Sequence, residues 1–344
     1  KAYAAQSEGI TPAPWQYNPR QPRPDDVTIK IRYCGVCHTD IHFVDNDWGM
    51  TKYPVVPGHE IIGEVTAVGP EVKQFSPGDW VGVGCLVDSC RECEPCREGL
   101  EQYCQEGAVA TYNGVDRHDG KTTYGGYAEG IIVSDRFVVR LPEQLDPAAA
   151  APLLCAGITT YSPLKYVGVG KGDRVGVIGM GGLGHMGIQF AKSMGAEVTL
   201  FTRSEDKAAE AKRNGADHVV LSTDAAQMEQ AAGSLGVILD TVPVEHDFNP
   251  YLQTLKLDGK YLLVGQLTPI NPPLDASQLI FGRRSLIGSV IGGLPETQEV
   301  LDYCAENGIS CDIEMLDIKN IGEAYQRMKR GDVRYRFVID MATL

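Results

Sequence analysis

A glycine-rich turn between a strand and a helix is the feature that most constrains the fold of this chain. An apolar strand is predicted at 174–178, and it runs directly into Gly179-Met180-Gly181-Gly182-Leu183-Gly184 and a helix at 182–194. A G-x-G-x-x-G turn in this position lets backbone amides and a helix N-terminus approach the pyrophosphate of a dinucleotide. The motif alone is a weak signal, but its strand–helix context favours a dinucleotide site over a merely tight turn. We assign the site to Gly179, Gly181, Gly182, Leu183 and Gly184.

The segments after this turn alternate between strands and helices. Strands are predicted at 197–201, 218–221, 236–240 and 260–264, and a helix at 205–214. Apolar strands that alternate with helices indicate a parallel sheet covered on both faces. Residues 153–290 are therefore predicted to form a doubly wound, parallel-sheet Rossmann domain.

The rest of the chain has a different sequence pattern. Residues 1–152 contain short β-type runs separated by Gly, Pro and Asp, such as the alternating run at 27–33 and the turn at 76–79 that leads into 80–83. Such a pattern predicts a compact, barrel-like β domain. A helix at 297–307 and a closing strand at 335–340 are predicted in residues 291–344. The fold class is α/β.

Charge and hydrophobicity exclude several kinds of partner. The 344 residues include 31 Lys and Arg against 45 Asp and Glu, a net charge of −14, which argues against nucleic acid and anionic membranes. No apolar stretch approaches about 20 residues, and the first residues lack the apolar core of a signal peptide. We expect a cytoplasmic protein. Thiols are normally reduced in the cytoplasm, so clusters among the ten cysteines indicate metal ligands rather than disulfides.

Four of these cysteines form a compact motif. Cys90, Cys93, Cys96 and Cys104 are spaced C-x2-C-x2-C-x7-C among charged residues, where buried apolar cysteines are not expected. Two-residue gaps let successive thiolates converge on one tetrahedral ion and close a four-thiolate zinc site. An iron–sulfur cluster uses the same ligands, but the spacing favours structural zinc.

Further metal-binding residue types lie at Cys37-His38-Thr39-Asp40-Ile41-His42, Gly58-His59-Glu60 and Cys155. Singly, each could be a buried thiol, a satisfied histidine or a surface carboxylate. Together with the glycine turn and the four-cysteine motif, they resemble the zinc-dependent medium-chain alcohol dehydrogenases, and most closely the cinnamyl-alcohol-dehydrogenase-like branch. The resemblance covers nearly the whole chain and includes Gly63, residues 155–159 and the segment 288–297.

The resemblance implies a GroES-like catalytic domain from residues 1–152 and 291–344, with two zinc ions per chain. Cys37, His59 and Cys155 would bind the catalytic zinc, with Glu60 as an occasional ligand and Asp40 orienting His59. Two thiolates and one imidazole are the usual zinc ligands of alcohol dehydrogenases. They leave a fourth coordination position for water or a substrate oxygen. The zinc polarises that oxygen as a Lewis acid.

The expected reaction is reversible reduction of aryl or medium-chain aliphatic aldehydes to primary alcohols. The resemblance implies that the proton passes from Thr39 through the cofactor ribose to His42. A histidine suits the outer end of this path because imidazole side chains generally titrate near operating pH. Trp48, Leu86 and Ile291 are candidate apolar walls of the substrate pocket, although all three could equally be core residues.

The residues after the second strand of the Rossmann domain predict the cofactor. An NAD-preferring protein places Asp or Glu there, whereas this chain has Thr202-Arg203-Ser204, with Lys207 one turn later. Two hydroxyls and two cations are typical of a 2′-phosphate pocket, so NADP(H) is predicted. The rival acids, Glu205 and Asp206, follow Ser204, which is a plausible N-cap. The resemblance adds five further cofactor contacts: His38, Thr159, Val264, Ser289 and Ile291.

Alternatives remain open from the sequence. The closest is a zinc polyol or sugar dehydrogenase of the same superfamily; a non-catalytic zinc- or nucleotide-sensing protein is a different class. Zinc-free quinone reductases share the fold, but the cysteine set argues against them. The resemblance also implies a homodimer joined through strands near 286–291. Cys34, Cys85, Cys304 and Cys311 are predicted to be buried small hydrophobic residues, His185 and Met186 to pack within a helix, and His118, His218 and His246 receive no role.

Overall fold

The chain divides into two units, one formed by residues 1–158 and 292–344 and the other by residues 159–291. The computed structural model describes every residue from 1 to 344. The strands are β1 (Ala2–Ala4), β2 (Ala13–Trp15), β3 (Asp26–Val36), β4 (Ile61–Val68), β5 (Trp80–Val83), β6 (Leu86–Asp88), β7 (Val109–Ala110), β8 (Gly130–Ser134), β9 (Val139–Arg140), β10 (Arg174–Ile178), β11 (Glu197–Thr202), β12 (His218–Leu221), β13 (Leu235–Asp240), β14 (Leu255–Leu263), β15 (Ser285–Gly288), β16 (Ile313–Asp317) and β17 (Arg336–Asp340).

The α-helices are mostly short. They are α1 (His38–Val44), α2 (Glu94–Arg97), α3 (Pro147–Ala150), α4 (Ala156–Tyr166), α5 (Gly182–Ser193), α6 (Ala208–Arg213), α7 (Ala225–Gln230), α8 (Asn249–Leu252), α9 (Ala276–Gly282), α10 (Leu294–Asn307) and α11 (Ile321–Lys329). Short 3-10 turns lie at Glu101–Tyr103, Asp135–Phe137, Ala151–Leu154, Glu205–Lys207, Ile318–Asn320 and Met341–Thr343. None of the helices has the length and apolar character needed to cross a bilayer.

The second unit contains a six-stranded sheet in the order β12-β11-β10-β13-β14-β15, and every neighbouring pair is parallel. This is the doubly wound order in which the chain starts in the middle and builds outward in both directions. Its central strands are apolar because helices cover both faces, and Val175, Val177, Ile238 and Leu239 are buried. The predicted doubly wound parallel sheet is confirmed.

Element ends depart from the predictions at three places. The predicted helix at 205–214 begins as the 3-10 turn and becomes α-helical only in α6, a common feature of helix N-termini. The predicted strand at 260–264 is longer, since β14 extends back to Leu255, which pairs with Leu235 beyond a register shift. Helix α10 starts at Leu294 rather than at 297, with Pro295 in its first turn, where the missing amide costs nothing.

The first unit is built around β3, an eleven-residue strand. Strand β3 pairs antiparallel with β4, with β8 and with β17, and the sheet continues through β5 to β9 and through β17 to β16. Alternate residues of β3, among them Val27, Ile29 and Ile31, are buried in the core of this unit. Each fully buried aliphatic side chain contributes roughly 1.5–3 kcal/mol. The predicted GroES-like, β-rich character of this unit is confirmed.

Candidate metal centres and dinucleotide site

The end of β3 and the beginning of β4 bring the first ligand set together. Cys37 directly follows β3 and caps α1, while His59 and Glu60 directly precede β4. Because the strands are antiparallel, with Cys34 opposite Ile61, these segments are neighbours at one end of the sheet. Cys155 joins them from the end of the 3-10 turn Ala151–Leu154.

The predicted ligands Cys37, His59, Glu60 and Cys155 form one buried cluster. Their ligand atoms all lie within 4.8 Å of one another, and the sulfurs of Cys37 and Cys155 are 3.9 Å apart. Two thiolates bound tetrahedrally at about 2.3 Å would be separated by roughly 3.8 Å. The Cys155 thiol also lowers the pKa of Cys37 well below its usual value through a hydrogen bond. The residues therefore fit a zinc ion.

Asp40 contacts both segments that carry ligands. Its fully buried carboxylate accepts hydrogen bonds from the amides of Cys37, at 2.8 Å, and Gly58, at 3.0 Å. Nδ1 of His59 lies 3.5 Å from an oxygen of the same carboxylate. The ring of Tyr112 stacks on His59 at 5.7 Å between centroids. Both contacts restrict the orientation of the imidazole.

Arg336 is a site residue that the sequence analysis missed. It begins β17, and its guanidinium nitrogen Nη2 lies 3.0 Å from Oε1 of Glu60, with both side chains almost fully buried. Burial raises the pKa of Glu60 to about 8, against the lowering effect of Arg336. The available signal was an arginine inside the apolar run 335–340, because a buried arginine requires a partner.

Cys85 is a second residue whose setting was misjudged. We predicted a buried small hydrophobic residue, but its side chain is partly exposed, and its thiol contacts Cys155 and faces His59. The hydrogen bond from Cys155 lowers the pKa of Cys85, against the effect of burial. The prediction failed because the short strands β5 and β6 bring residue 85 back to the ligand cluster. Cys34, Cys304 and Cys311 are buried, as expected.

The predicted proton-transfer residues lie on α1. Thr39 Oγ1 is 3.5 Å from the sulfur of Cys37. One turn later, Nδ1 of His42 lies 2.7 Å from a carboxylate oxygen of Asp47. The candidate wall residue Trp48 packs on His42, with ring centroids 5.0 Å apart, whereas Leu86 packs against the core of the first unit.

The four-cysteine motif forms a second cluster. The sulfurs of Cys90, Cys93, Cys96 and Cys104 lie within 4.8 Å of one another. Backbone amides point at them: the amide of Cys90 donates to Cys104, and that of Cys93 donates to Cys90, each at 3.3 Å. The amide of Gln105 lowers the pKa of Cys93 to about 6. Amides that stabilise thiolates suit a closed zinc site.

The glycine turn has the geometry of a pyrophosphate cradle. Gly179 has φ +84°, and a Cβ on Gly184 would lie 2.1 Å from the carbonyl oxygen of Gly179. A Cβ on Gly181 would instead meet only open space, and no side chain caps α5 at that residue. The first amides of α5, from Gly182, Leu183 and Gly184, therefore fit an anion.

The predicted 2′-phosphate residues follow at the end of the neighbouring strand. Thr202 ends β11 and is buried, while Arg203 is exposed. The amide of Ser204 donates to Oγ1 of Thr202 at 3.3 Å. Ser204 occupies the N-cap position of the following 3-10 turn, as predicted, although its hydroxyl makes no capping hydrogen bond. Nζ of Lys207 donates to the carbonyl of Met180, in the glycine turn, at 3.3 Å.

Two of the remaining predicted cofactor residues share this edge of the sheet. Val264 and Ser289 each come directly after a parallel strand, β14 and β15, whose last residues align with the end of β10 through β13. Thr159 is buried in α4, and Ile291 has φ +39°. His38 lies in the first unit, as the first residue of α1.

Comparison with known proteins agrees with this description. The family described as "Alcohol dehydrogenase GroES-like domain" matches residues 23–143, and "Zinc-binding dehydrogenase" matches residues 182–306. The chain is 52% identical to aldehyde reductase YahK of Escherichia coli, over 100% of this chain and 99% of that protein. It is 50% identical to cinnamyl alcohol dehydrogenase 2 of Oryza sativa subsp. japonica, over 96% and 90%.

Two solved structures have the same fold throughout. A cinnamyl alcohol dehydrogenase of Sorghum bicolor superposes with a TM-score of 0.96 at 46% identity, covering 99% of this chain and 97% of that one. A cinnamyl alcohol dehydrogenase of Helicobacter pylori, complexed with NADP(H), gives 0.93 at 40% identity with the same coverage.

Proposed function

Because the chain belongs to the zinc-dependent medium-chain alcohol dehydrogenases, in the cinnamyl-alcohol-dehydrogenase-like branch, we propose that it reduces aryl and medium-chain aliphatic aldehydes with NADPH. Its general activity, that of a zinc alcohol dehydrogenase and aldehyde reductase, follows from the family. The convergence of Cys37, His59 and Cys155 in one buried cluster is the observation that carries the proposal, since these are ligands of an open zinc site.

Each metal cluster has a separate role in this proposal. Cys37, His59 and Cys155 would hold a catalytic zinc, and the four-cysteine cluster a structural one, giving two ions per chain. The first would polarise the substrate oxygen as a Lewis acid, while the dinucleotide supplies or accepts the hydride. We propose that Asp40 orients His59 and that Glu60, held by Arg336, is an occasional ligand.

Proton movement is assigned to residues of α1. The hydroxyl of Thr39 lies beside the ligand Cys37, where it can hold the proton that the product alcohol gains. His42 is partly exposed and bonded to Asp47, so its ring can exchange that proton with solvent. Histidine is the side chain that most often transfers protons in enzymes.

The preference for NADP(H) rests on Thr202, Arg203 and Ser204. Arg203 is exposed at the carboxyl end of β11, and no acid occupies the position that would bind the ribose hydroxyls of NAD. A charge-assisted contact between Arg203 and the 2′-phosphate would contribute roughly 1.5–3 kcal/mol. The H. pylori relative, crystallised with NADP(H), supports the same choice.

The ratio of kcat/KM for NADPH and NADH tests this preference. Arg203→Ala should raise the KM for NADPH by about 10- to 150-fold, the equivalent of the lost contact, and leave the KM for NADH nearly unchanged. Adding Thr202→Asp should repel the phosphate and move the preference toward NADH. The matched control is Arg213→Ala, on the last turn of α6. A wild type that already prefers NADH would contradict the proposal and would make Glu205 the candidate ligand of the ribose hydroxyls.

Substrate class needs a separate measurement. The candidate wall residue Trp48, which packs on His42, is apolar, which favours aldehydes with aromatic or aliphatic groups over polyols. Activity on benzaldehyde should therefore greatly exceed activity on sorbitol. The reverse order would identify a polyol dehydrogenase, and no turnover of either with NADPH would indicate a non-catalytic binding protein.

We also propose a homodimer that works in the cytoplasm. Strand β15 lies at the edge of its sheet, and Phe281, in the preceding helix, is 87% exposed; an exposed sheet edge with apolar neighbours is suited to pairing with a second copy. A reducing compartment keeps the six zinc-ligating cysteines available. We propose functional domain limits of 1–152 with 291–344 for catalysis and 153–290 for NADP(H), with Cys155 contributing to the catalytic site.

A further inference from the structure

A partly buried ion pair lies at the carboxyl end of β13, where the sequence analysis assigned His246 no role. Asp240 is fully buried, and its Oδ2 is 2.9 Å from Nε2 of His246. The same oxygen accepts the hydroxyl of Tyr261 at 2.8 Å, and Oδ1 accepts the amide of Val242 at 3.1 Å. The carboxylate is thus bonded to the loop that follows its own strand and to β14.

The partners of His246 determine its protonation. Nδ1 lies 2.9 Å from the carbonyl oxygen of Val244, which can only accept a hydrogen bond, so Nδ1 carries a proton. Nε2 faces a carboxylate that already accepts two other donors, so it donates as well. Burial lowers the pKa of His246, but the bond and charge of Asp240 outweigh it and raise the pKa above its usual value. A ring that donates from both nitrogens therefore ties the carbonyl of residue 244 to Asp240.

The loop held in this way lies against the glycine turn. Thr241 Oγ1 donates to the carbonyl of Ile178 at 2.7 Å, and the amide of Thr241 bonds the same oxygen at 3.2 Å. A Cβ on Gly179 would lie 3.2 Å from Val242 and 3.4 Å from Thr241, and one on Gly184 3.2 Å from Thr241. Residues 241 and 242 therefore pack directly against the glycine turn and support it.

The ring of His246 is also packed on its other side. It contacts Phe248, with centroids 4.8 Å apart, and Tyr251 at 6.2 Å. Tyr251 in turn contacts Phe201 at the end of β11 and lies within electrostatic reach of Arg203. The charged groups facing His246 are Asp240 and Asp247. This packing fixes the ring in the position that both of its hydrogen bonds need.

We propose that His246 is a positioning residue for the dinucleotide site, which holds residues 241–246 against the glycine turn by joining Asp240 to the carbonyl of Val244. The proposal rests on the proposed function, because it takes the turn to be the pyrophosphate site. The turn contacts the part of the cofactor that NADPH and NADH share. Loss of the support should therefore weaken both cofactors by a similar factor, unlike loss of Arg203.

The experiment measures Kd for NADPH and NADH by cofactor fluorescence, together with zinc content and the KM for an aldehyde. His246→Ala should raise both Kd values by about tenfold, in line with two lost hydrogen bonds, one of them charged, with zinc content and aldehyde KM unchanged. His246→Gln, whose neutral amide keeps two N–H donors but on a single nitrogen, should fall between. The matched control is His218→Ala, since His218 also pairs with a carboxylate, Glu197, at 2.6 Å, but lies at the amino end of β12.

Variants of Thr241 test the same support if His246→Ala does not fold. Thr241→Val replaces the hydroxyl that donates to Ile178 and should weaken both cofactors, whereas Thr241→Ser keeps it and should bind as the wild type does. Unchanged Kd values in folded His246→Ala or Thr241→Val would overturn the inference. So would weakening of NADPH alone, which would place His246 with Arg203. A wild type that prefers NADH contradicts the proposed cofactor preference but leaves this inference standing.

Discussion

At the scale of single residues, the ion pair of Glu60 and Arg336 bears on the charge of the candidate zinc site. Two thiolates would balance the two positive charges of a zinc ion. Burial raises the pKa of Glu60 to about 8, and the guanidinium of Arg336, 3.0 Å away, opposes that rise and so favours the charged carboxylate. A buried charge without a partner is strongly destabilising. Arg336 is therefore part of the site although it contacts no ligand other than Glu60.

Substitution of Arg336 tests whether the buried Glu60 needs this partner. Arg336→Met is expected to destabilise the first unit by about 3–5 kcal/mol, the usual cost of leaving a buried charge unpaired, and to lower the melting temperature. The double variant with Glu60→Gln should recover part of the loss, because the uncompensated charge is gone. Thermal unfolding of the two variants and of Glu60→Gln alone measures the coupling. Equal melting temperatures for wild type and Arg336→Met would show that the pair is dispensable.

The proposed proton relay is a second matter of single side chains. His42→Ala should slow turnover by roughly 10- to 100-fold, because a positioned proton-transfer group is worth about 10²–10⁴. External imidazole should restore part of the rate. His118→Ala is the control, since that ring is 57% exposed and lies in the same unit. Kinetics unchanged by His42→Ala would make His42 an ordinary surface residue.

At the scale of elements, the site depends on where β3 ends. Its partners β4 and β17 begin beside that end, with Cys34 opposite Ile61 and Val36 opposite Phe337. Cys37, Glu60 and Arg336 therefore meet although they lie at the ends of three separate strands. The four-cysteine lobe is different, because its candidate ligands lie within a single short segment and a bound metal would itself supply the closure.

This difference predicts opposite outcomes for two similar substitutions. Cys155→Ser should abolish turnover while NADPH still binds, since the glycine turn belongs to other elements. Cys96→Ser should instead lower stability. Metal analysis should find about two zinc ions in the wild type and one fewer in each variant. Cys96→Ser with unchanged stability and lost activity would contradict the structural assignment, and iron in place of zinc would contradict the metal.

At the scale of the whole molecule, the chain leaves the first unit after residue 158 and returns to it at residue 292. The second unit is thus an insertion of one continuous segment, with its own sheet and its own core around Phe201, Phe248 and Tyr261. All candidate zinc ligands lie in the first unit, and the glycine turn lies in the second. Each half of the chemistry can therefore be perturbed separately, as the predictions for Cys155 and His246 require.

The proposed dimer is tested at this scale. Light scattering should give twice the chain mass of 37.3 kDa, and Ile287→Lys, in the edge strand β15, should give monomers because a lysine on an edge opposes pairing. Leu257→Lys is the control, since Leu257 is 63% exposed on β14. A monomeric wild type, or a dimer that survives Ile287→Lys, would contradict pairing through β15.

The sequence by itself determined the features that depend on short spacings. The turn from Gly179 to Gly184, the four-cysteine motif and the alternation of strands and helices each follow from residues a few positions apart, and local geometry decides them. The family resemblance added Cys37, His59 and Cys155, which spacing alone would have left as separate residues.

Only the tertiary structure decided which distant side chains meet. The partnership of Glu60 with Arg336, the place of Cys85 beside Cys155 and the contact of residues 241–242 with the glycine turn all cross between strands. His246 and Asp240 are close in sequence, yet their pairing depends on a loop that folds back over the sheet. The physical reason is that a buried charge is stable only beside a partner, and the packing of the strands decides which partner lies close enough. Local sequence patterns do not reveal the register of distant strands.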